Sequence, residues 1–411
     1  MYIEANFSAA ALIAVLVLIS ARQIGNLKLQ IWQIMLAGAL AVVLTGQISL
    51  YNAARAINLD VMIFLMGMFI IGEAMQESGY LLALSYRLFR RAESIDHLLL
   101  LILFGFGILS ALLMNDTMAI IGTPLMLYLA RAHHISPKLL LISLAFAVTT
   151  GSVMSPIGNP QNLLIAINGG LDDPFLTFTR HLLLPTIANL FLAYLILKIS
   201  FANQFRSGTL NHLQEPIRDQ KLAFFSKMSF LMLIVLVIAK VAAVILGIGA
   251  QFPLTYIALL SAMPIIILSE RRLEVAKRID WHTLIFFAAM FVLMESVWKS
   301  GIFHSLLAGA EVNLSSVPMI LALSVLLSQL ISNVPFVALF QPLIPGASIE
   351  DLMALAAGST IAGNLFILGA ASNVIIIQNA EKCGETLSFL DFARVGIPFT
   401  ALNMLVYWAF L

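Results

Sequence analysis

Long hydrophobic runs recur along the whole chain and are separated by short polar segments. A hydrocarbon core of about 30 Å takes roughly 20 apolar residues in a helix. Because lipid offers no partners for backbone groups, a spanning segment must satisfy its own hydrogen bonds, which predicts helices. The strands of a membrane barrel alternate in polarity, and these runs do not. The pattern therefore predicts an all-α polytopic membrane protein.

Two polar interruptions of these runs occur in the same order in both halves of the chain. Leu112–Leu125 reads LLMNDTMAIIGTPL and Leu330–Leu343 reads LISNVPFVALFQPL, with Asn at the fourth and Pro at the thirteenth position of both. Further on, Gly158–Ile165 reads GNPQNLLI and Gly369–Ile376 reads GAASNVII. Paired interruptions of this kind are typical of transporters whose site lies between two repeats.

We predict two inverted repeats, each with five crossings, one re-entrant hairpin and one broken helix. The predicted boundaries are 1–201 for the first repeat, with its hairpin over 98–130 and its broken helix over 139–167, 202–228 for a cytoplasmic linker, and 229–411 for the second repeat, with its hairpin over 317–345 and its broken helix over 353–380. The polar clusters place the interruptions of the broken helices at 158–162 and 369–373. Because five is an odd number, the second repeat enters the membrane in the opposite orientation.

The basic residues give the predicted orientation. Eighteen of the 22 Lys and Arg residues fall in segments that this layout puts inside, whereas Arg55, Arg180 and Lys299 fall outside. Cytoplasmic loops of membrane proteins carry an excess of Lys and Arg. We therefore predict a multi-pass protein of the cytoplasmic (inner) membrane with both termini outside. A chain that is 61% hydrophobic and 10% charged is not a soluble domain.

The hairpin tips and the broken helices are predicted to form one polar site near the middle of the membrane. A helix that ends there leaves unpaired N–H and C=O groups, which are tolerated only beside a cavity or a ligand. The side chains expected at this site are Asn115, Asp116, Thr117, Asn159, Gln161 and Asn162 from the first repeat and Ser332, Asn333, Ser372 and Asn373 from the second. The alternative is that these asparagines only cap helix ends.

Asp116 distinguishes the two hairpin tips, because Val334 occupies the matching position. An ionisable side chain at membrane depth is costly and indicates a function. We expect Asp116 to carry the coupling proton; a Na⁺ ligand and a structural acceptor for hairpin N–H groups are the alternatives. No cofactor is expected, and with one cysteine, Cys383, the chain has no multi-cysteine metal site.

The segments MNDTMAIIGTP, SNVPFVALFQP, SPIGNPQNLLIA and AGNLFILGAASNVIIIQNAEKCG resemble the ion transporter superfamily. Within it, the chain is most similar to the arsenite permease and P-protein branch, which also resembles bacterial anion permeases and one class of Na⁺/H⁺ antiporters. The resemblance implies an elevator mechanism, in which a transport domain moves against a scaffold domain that forms a homodimer. It also implies that substrate and coupling ions bind at Asn115, Asn162, Asn333 and Asn373.

The hairpin tips differ from those of sodium-coupled dicarboxylate members, which carry Ser-Asn-Thr at both tips. Here the tips read Asn-Asp-Thr and Ser-Asn-Val, and neither the tips nor the interruptions contain Arg or Lys. A neutral polyhydroxyl solute fits such a site better than a divalent anion does, and arsenous and antimonous acids are uncharged near neutral pH. We therefore predict a secondary transporter that exports arsenite and antimonite as neutral trihydroxides, coupled to protons.

The sequence leaves several alternatives open. They are a Na⁺- or H⁺-coupled permease for an inorganic or carboxylate anion, a Na⁺/H⁺ antiporter, and a membrane scaffold or receptor that transports nothing. The chain has no P-loop, no hydrolase motif and no nucleic-acid module, so no enzymatic activity and no nucleic-acid partner are predicted. The predicted partners are a small inorganic solute, membrane lipid and a second copy of the chain. As in some arsenite permeases, a soluble ATPase subunit docked on the cytoplasmic loops is a further alternative.

Overall fold

The computed structural model describes residues 7–21, 23–24, 27–28, 30–80, 83–84, 92–206, 217–246, 253–301 and 316–411. Its longer helices in the first half of the chain are α1 (Phe7–Ala21), α2 (Ile31–Leu44), α3 (Leu50–Ala56), α4 (Leu59–Glu77), α5 (Ile95–Leu113), α6 (Asn115–His133), α7 (Pro137–Ser152), α8 (Pro160–Asn168) and α9 (Pro174–Ser200). Those of the second half are α10 (Gln220–Ile245), α11 (Leu254–Met263), α12 (Arg272–Arg278), α13 (Trp281–Lys299), α14 (Val317–Ile331), α15 (Asn333–Phe340), α16 (Ile349–Ile361), α17 (Ala371–Lys382) and α18 (Phe389–Phe410). Two-residue strands at Gln23–Ile24 and Leu27–Lys28 pair antiparallel.

Six of the described helices are long and apolar enough to cross a membrane: α4, α5, α9, the Gln220–Lys240 part of α10, α13 and α18. Shorter apolar helices include α7 and most of α14. Helix α5, which the sequence assigned to a re-entrant hairpin, has 19 residues, whereas α14 at the matching position has 15.

The described residues form two compact units. The first unit lies within Met1–Met66 and Arg278–Leu314. In it, α13 packs against α1, α2 and α3, and α1 packs against α2. Gly38 allows this packing, because a Cβ there would lie 2.3 Å from Val15 Cγ2. The buried hydroxyls of Ser8 and Ser296 are 2.8 Å apart, which pairs the polar atoms of α1 and α13.

The second unit lies within Gly67–Lys277 and Ser315–Leu411 and contains both predicted hairpins and both broken helices. Its helices pack in matched pairs: α5 on α7 as α14 on α16, α6 on α17 as α15 on α8, and α7 on α9 as α16 on α18. The second arm of each hairpin therefore contacts the broken helix of the other half of the chain. Helices α9 and α18 also pack on each other.

The two hairpins turn through the same backbone conformation. Met114, between α5 and α6, has φ 71° and ψ 143°, and Ser332, between α14 and α15, has φ 70° and ψ 155°. Positive φ in a residue other than glycine is uncommon and costs of order 1 kcal/mol or more. The turns place Asn115 and Asn333 at the first positions of the following helices.

The interruptions of the broken helices lie nearer the N-terminus than predicted. Helix α7 ends at Ser152 and α8 begins at Pro160, so the first break covers 153–159 and not 158–162. Helix α16 ends at Ile361 and α17 begins at Ala371, so the second break covers 362–370 and not 369–373. At the first break Asn159 is the N-cap of α8, a position that favours asparagine, so the chain breaks before it. At the second break Ser372 and Asn373 are already the second and third residues of α17.

The polar segment 202–228 is only partly a linker. Residues 202–206 form a 3₁₀ turn, residues 207–216 lie outside the described part of the chain, and α10 already begins at Gln220. Asp219 precedes α10 and accepts a hydrogen bond from the Leu222 N–H at 2.9 Å. This cap starts the helix within a polar stretch that hydropathy alone assigns to a loop.

Candidate functional site

The first hairpin is joined to the first break by a backbone hydrogen bond. The N–H of Asn115, one of the unpaired donors at the start of α6, donates to the carbonyl of Gly158 at 2.9 Å. Gly158 lies against Ser152, where a Cβ would come within 2.3 Å of the Ser152 carbonyl oxygen. A side chain at this position would therefore displace the break.

The polar side chains of the first break are bonded to one another and to Thr360 of α16. Asn159 caps α8, accepting from the Asn162 N–H at 2.9 Å. The Nδ2 of Asn159 and the Nε2 of Gln161 donate to Thr360 Oγ1 at 3.2 and 3.3 Å. That hydroxyl donates in turn to Asn162 Oδ1 at 3.3 Å. All four side chains are buried.

Asn162 holds the first break together. Its Nδ2 lies 3.1, 3.2 and 3.0 Å from the carbonyl oxygens of Ser152, Val153 and Ser155. These are the carbonyls left over where α7 ends. The side chains of Asn159, Gln161 and Asn162, which the sequence assigned to substrate binding, thus have partners within the protein, as the capping alternative describes.

The second break is built on the same frame and keeps fewer of these bonds. The Nδ2 of Asn373 donates to the carbonyl of Gly363 at 2.6 Å, and both this pair and Asn162–Ser152 are separated by ten positions. Among the described residues, however, Asn373 Oδ1 and Ser372 Oγ have no hydrogen-bond partner, although both are buried. Thr149 Oγ1, on α7, is buried and unpaired in the same way.

The two hairpin tips each present a buried asparagine with an unpaired oxygen. Within the described chain, neither Asn115 Oδ1 nor Asn333 Oδ1 has a hydrogen-bond partner. Asp116 is half-buried as the second residue of α6. Thr117 is buried against α4, where a Cβ on Gly72 would come within 2.9 Å of Thr117 Cγ2. Ser332 lies in the second turn itself and is half-buried.

The packing of the second unit brings together the helices that carry the predicted residues. Helix α6, which begins at Asn115, lies on α17 with Ser372 and Asn373, and α15, which begins at Asn333, lies on α8 with Gln161 and Asn162. Two further residues there, Thr149 and Thr360, escaped the sequence reasoning because single threonines in apolar runs form no motif. Their equal spacing was the available signal, since each lies thirteen residues before Asn162 or Asn373.

Charged side chains in the second unit form clusters at helix ends. Arg271 pairs with Glu77 at 3.4 Å, with Asp219 at 3.2 Å and with Glu274 at 2.7 Å. Leu222 N–H and the Arg271 guanidinium, both bound to the Asp219 carboxylate, hold the pKa of Asp219 below its usual value. In the described part of the chain, no group of three or more His, Cys, Asp or Glu side chains is arranged to hold a metal ion.

The comparison with protein families is decisive for the class of this protein. A model of the citrate transporter family, CitMHS, matches residues 14–351. The chain belongs to the citrate transporter family. This family is part of the ion transporter superfamily that the sequence motifs indicated. The prediction of a transporter and not an enzyme is thereby confirmed.

Several curated relatives of this chain match it over almost its whole length. An uncharacterized transporter of Mycobacterium tuberculosis is 28% identical, with 90% of each chain covered. The silicon efflux transporter of Oryza sativa is 24% identical, with 89% of each covered. The P protein of Mus musculus is 27% identical over 91% of this chain, which spans 56% of that longer protein.

The solved structure of another transporter has the same fold as this chain. The YdaH transporter of Alcanivorax borkumensis matches with a TM-score of 0.55 at 15% identity, over 98% of this chain and 95% of that one. This likeness shows the fold, which is that of an all-helical membrane protein with several spans. The family match shows that the protein is a multi-pass secondary transporter.

Proposed function

We propose that this protein is a proton-coupled transporter that exports small neutral hydroxy acids, arsenous and antimonous acid among them, across the cytoplasmic membrane. The observation that carries the proposal is the pair of asparagines at the hairpin tips. Asn115 and Asn333 are 5% and 6% exposed, and the Oδ1 of each lacks a partner among the described residues. A buried acceptor without a donor costs about 1–3 kcal/mol, which a bound ligand would recover.

The chemistry of these atoms favours a donor-rich, uncharged solute. Both unpaired atoms are amide oxygens, which accept hydrogen bonds and cannot donate them. A trihydroxide brings three O–H donors to such a site, whereas an ionised carboxylate brings only acceptors. The tips and breaks also lack Arg and Lys, which a multivalent anion would need as counter-charge.

One relative supports the same class of cargo. The rice protein is named as a silicon efflux transporter. Dissolved silicon near neutral pH is an uncharged hydroxide, as dissolved arsenite is. A transporter for either solute would recognise hydroxyl groups without a counter-charge.

Asp116 is the proposed carrier of the coupling proton. It begins α6 beside Asn115, and the matching position of α15 carries Val334, so the pair of tips contains one acid. A single carboxyl that binds a proton on one side of the membrane and releases it on the other would couple export to proton entry. The alternative role is a Na⁺ ligand.

The proposed architecture consists of two inverted repeats with both termini outside. The transport domain moves as an elevator against a scaffold domain, and the scaffold domains of two copies form a homodimer. The like turns at Met114 and Ser332 support the repeats. So do two matched helix ends: Ser78 Oγ and Ser300 Oγ each donate to the carbonyl three residues earlier, and Gly79 and Gly301 follow with φ of 74° and 72°. The exchange of hairpin arms between the halves supports alternating access around a shared site.

Flux in proteoliposomes tests the function. With an inward-directed proton gradient, arsenite should leave the vesicles in the absence of Na⁺. Asn333→Ala should lower the rate about tenfold, the effect of losing one hydrogen bond to the solute, and Asp116→Asn should abolish the response to pH. Gln47→Ala, in an exposed loop, is the control and should leave the rate unchanged. Unaltered flux in Asp116→Asn would remove the coupling role.

A carboxylate is the second candidate cargo, because the matching family is described by citrate transport. The same vesicles distinguish the two. Citrate movement without arsenite movement would replace the hydroxide proposal, and Na⁺-dependent movement of either solute would replace proton coupling.

A further inference from the structure

A groove separate from the hairpins and breaks opens where α10 begins. It has a volume of about 480 Å³ and lies between the first turns of α10 and the end of α11, where Pro264–Leu268 form a π-helical turn. Residues 219–222, Phe224 and Phe225 line it on the α10 side, and residues 268–271 line it on the other. Because α10 is apolar enough to cross a membrane from its first residue, the groove lies at the membrane surface.

One wall of the groove is apolar and faces outward. Phe224 and Leu268 are 59% and 55% exposed. The ring of Phe224 packs edge-on against that of Phe225, with the ring centroids 5.7 Å apart, which limits where it can turn. The wall is therefore a defined apolar surface at the level where lipid headgroups meet acyl chains.

An apolar stripe continues from this wall along α10. Four exposed side chains follow Phe224 at intervals of three or four residues, which places them on one face of the helix: Met228, Leu231, Val235 and Ile238. From Phe224 to Ile238 the stripe is about 21 Å long. Half of a hydrocarbon core is about 15 Å thick. An acyl chain that starts in the groove can therefore lie along α10 as far as the middle of the membrane.

The other wall of the groove carries charges of both signs. Lys221 Nζ lies 3.4 Å from Glu270 Oε1, and the two side chains are 80% and 82% exposed. An exposed ion pair of this kind contributes little to stability, so both groups can exchange it for a bound headgroup at small cost.

Arg271, in the same wall, already has its partners. Its guanidinium pairs with three carboxylates, those of Glu77, Asp219 and Glu274. Among the described charged residues that line the groove, Lys221 is therefore the cation best placed for a phosphate, and Glu270 is the carboxylate best placed for a cationic group. A headgroup with one charge of each sign matches this pair.

We propose that the groove binds one aminophospholipid, a zwitterionic lipid whose headgroup carries a phosphate and a primary ammonium. Lys221 contacts the phosphate, Glu270 accepts from the ammonium, and an acyl chain lies on Phe224 and Leu268. A primary ammonium has three N–H donors for a carboxylate, whereas the trimethylated ammonium of a choline lipid has none. An anionic lipid would satisfy Lys221 and bring no cation to Glu270.

Thermal unfolding of the purified full-length protein in detergent micelles tests the site. Lipids with identical acyl chains are added at rising concentration, since a ligand that binds the native state raises the unfolding temperature. Phosphatidylethanolamine should act at about tenfold lower concentration than phosphatidylcholine or phosphatidylglycerol, because only its headgroup makes both contacts. Glu270→Gln should abolish this preference. Lys221→Gln should weaken the ethanolamine and choline lipids alike, because both carry the phosphate.

Glu350→Gln is the matched control. It removes an exposed carboxylate in the first turn of α16, outside the groove, and should leave the lipid preference intact. Equal responses of the native protein to the three lipids, or a preference that persists in Glu270→Gln, would overturn the proposal. So would an equal response to glycerophosphoethanolamine, the soluble headgroup without acyl chains. Lys221 and Glu270 are both exposed, so neither variant should impair folding.

The lipid site does not rest on the cargo. A preference for the ethanolamine lipid without arsenite flux in proteoliposomes would retain the site and reject the cargo. Arsenite flux with no such preference would do the opposite.

Discussion

The first and second breaks share one backbone-directed hydrogen bond but differ in how many of their polar side chains are hydrogen-bonded. In both, an asparagine early in the second helix donates to the carbonyl ten residues before it. In the first, Thr360 joins three amide side chains of the break. In the second, Thr149 Oγ1 has no hydrogen-bond partner among the described residues. The same position in the register therefore stabilises the fold in one half of the chain and has no hydrogen-bond partner among the described residues in the other.

The two hairpins also differ in how they are hydrogen-bonded to the breaks. The Asn115 N–H is held by Gly158 of the first break. Among the described residues no backbone bond joins Asn333 N–H to Gly369, the matching glycine of the second break. Among the described residues, the second hairpin is joined to its break by the hydrogen bond from Gln329 to Ala362 alone, whereas the first hairpin is joined at its tip by the bond from Asn115 to Gly158. We expect the second hairpin to open at lower cost.

The largest expected difference is between Asn162→Ala and Asn373→Ala. Asn162 serves three buried carbonyls and Thr360, so its loss should reduce the free energy of unfolding by about 4 kcal/mol. Asn373 serves the Gly363 carbonyl alone among the described residues, and its loss should cost about 1.5 kcal/mol. Chemical unfolding in detergent micelles measures both. Equal losses would show that the breaks are alike in stability.

The next largest difference is expected for two glycines at helix contacts near the breaks, Gly151 of α7 and Gly358 of α16. A Cβ on Gly151 would lie 2.2 Å from Gly107 Cα and 2.4 Å from its carbonyl oxygen, so two backbones would have to separate. Gly151→Ala should therefore cost about 3 kcal/mol of unfolding free energy. On the other half, a Cβ on Gly358 would lie 2.7 Å from Ser324 Cβ, and Gly358→Ala should cost about half as much. The reverse order in the same unfolding assay would contradict the close approach of α5 and α7.

The smallest expected effect lies outside both breaks and serves as their control. The pKa of Asp219 is lowered in the folded protein, so its charge stabilises the fold above the unfolded pKa near 4, and this contribution is lost as the pH falls through the folded pKa. Asp219→Asn keeps the N-cap but loses the ion pair with Arg271. It should cost about 0.5 kcal/mol at pH 7 and nothing at about pH 2. Unfolding curves at the two pH values test this.

The class of protein and the start of the second helix of each hairpin could be predicted from the sequence. Asn115 and Asn333 could be placed because each is a polar residue between two apolar runs. Each is the first residue of its helix, directly after the turn residue Met114 or Ser332, and neither is an N-cap. The positions of the breaks were wrong, since they depend on where α7 and α16 lose their backbone bonds and not on where polar residues stand. Pro160 is a signal for the start of α8, because proline is favoured at the first position of a helix. It does not indicate where α7 ends.

The bonding of the site could not be predicted from the motifs. Asn162 and Asn373 look equivalent in sequence, yet their surroundings differ because Thr360 and Thr149 arrive from distant helices. Thr360 has an amide partner because the side chain of Gln161 is long enough to reach it. At the position that matches Gln161, the side chain of Ser372 is shorter and has no amide group to offer Thr149. Such a pairing is a property of packed helices and has no local pattern.

The bond between Thr360 and Asn162 has a consequence for the biosynthesis of the chain. The two residues are 198 positions apart. At about 5–20 residues per second, a ribosome needs about 10–40 s to make the intervening segment. During that time Asn159, Gln161 and Asn162 lack the hydroxyl that joins them. The hydrogen bonds of the first break are therefore completed only after α16 has been made, although the break itself belongs to the half of the chain that is made first.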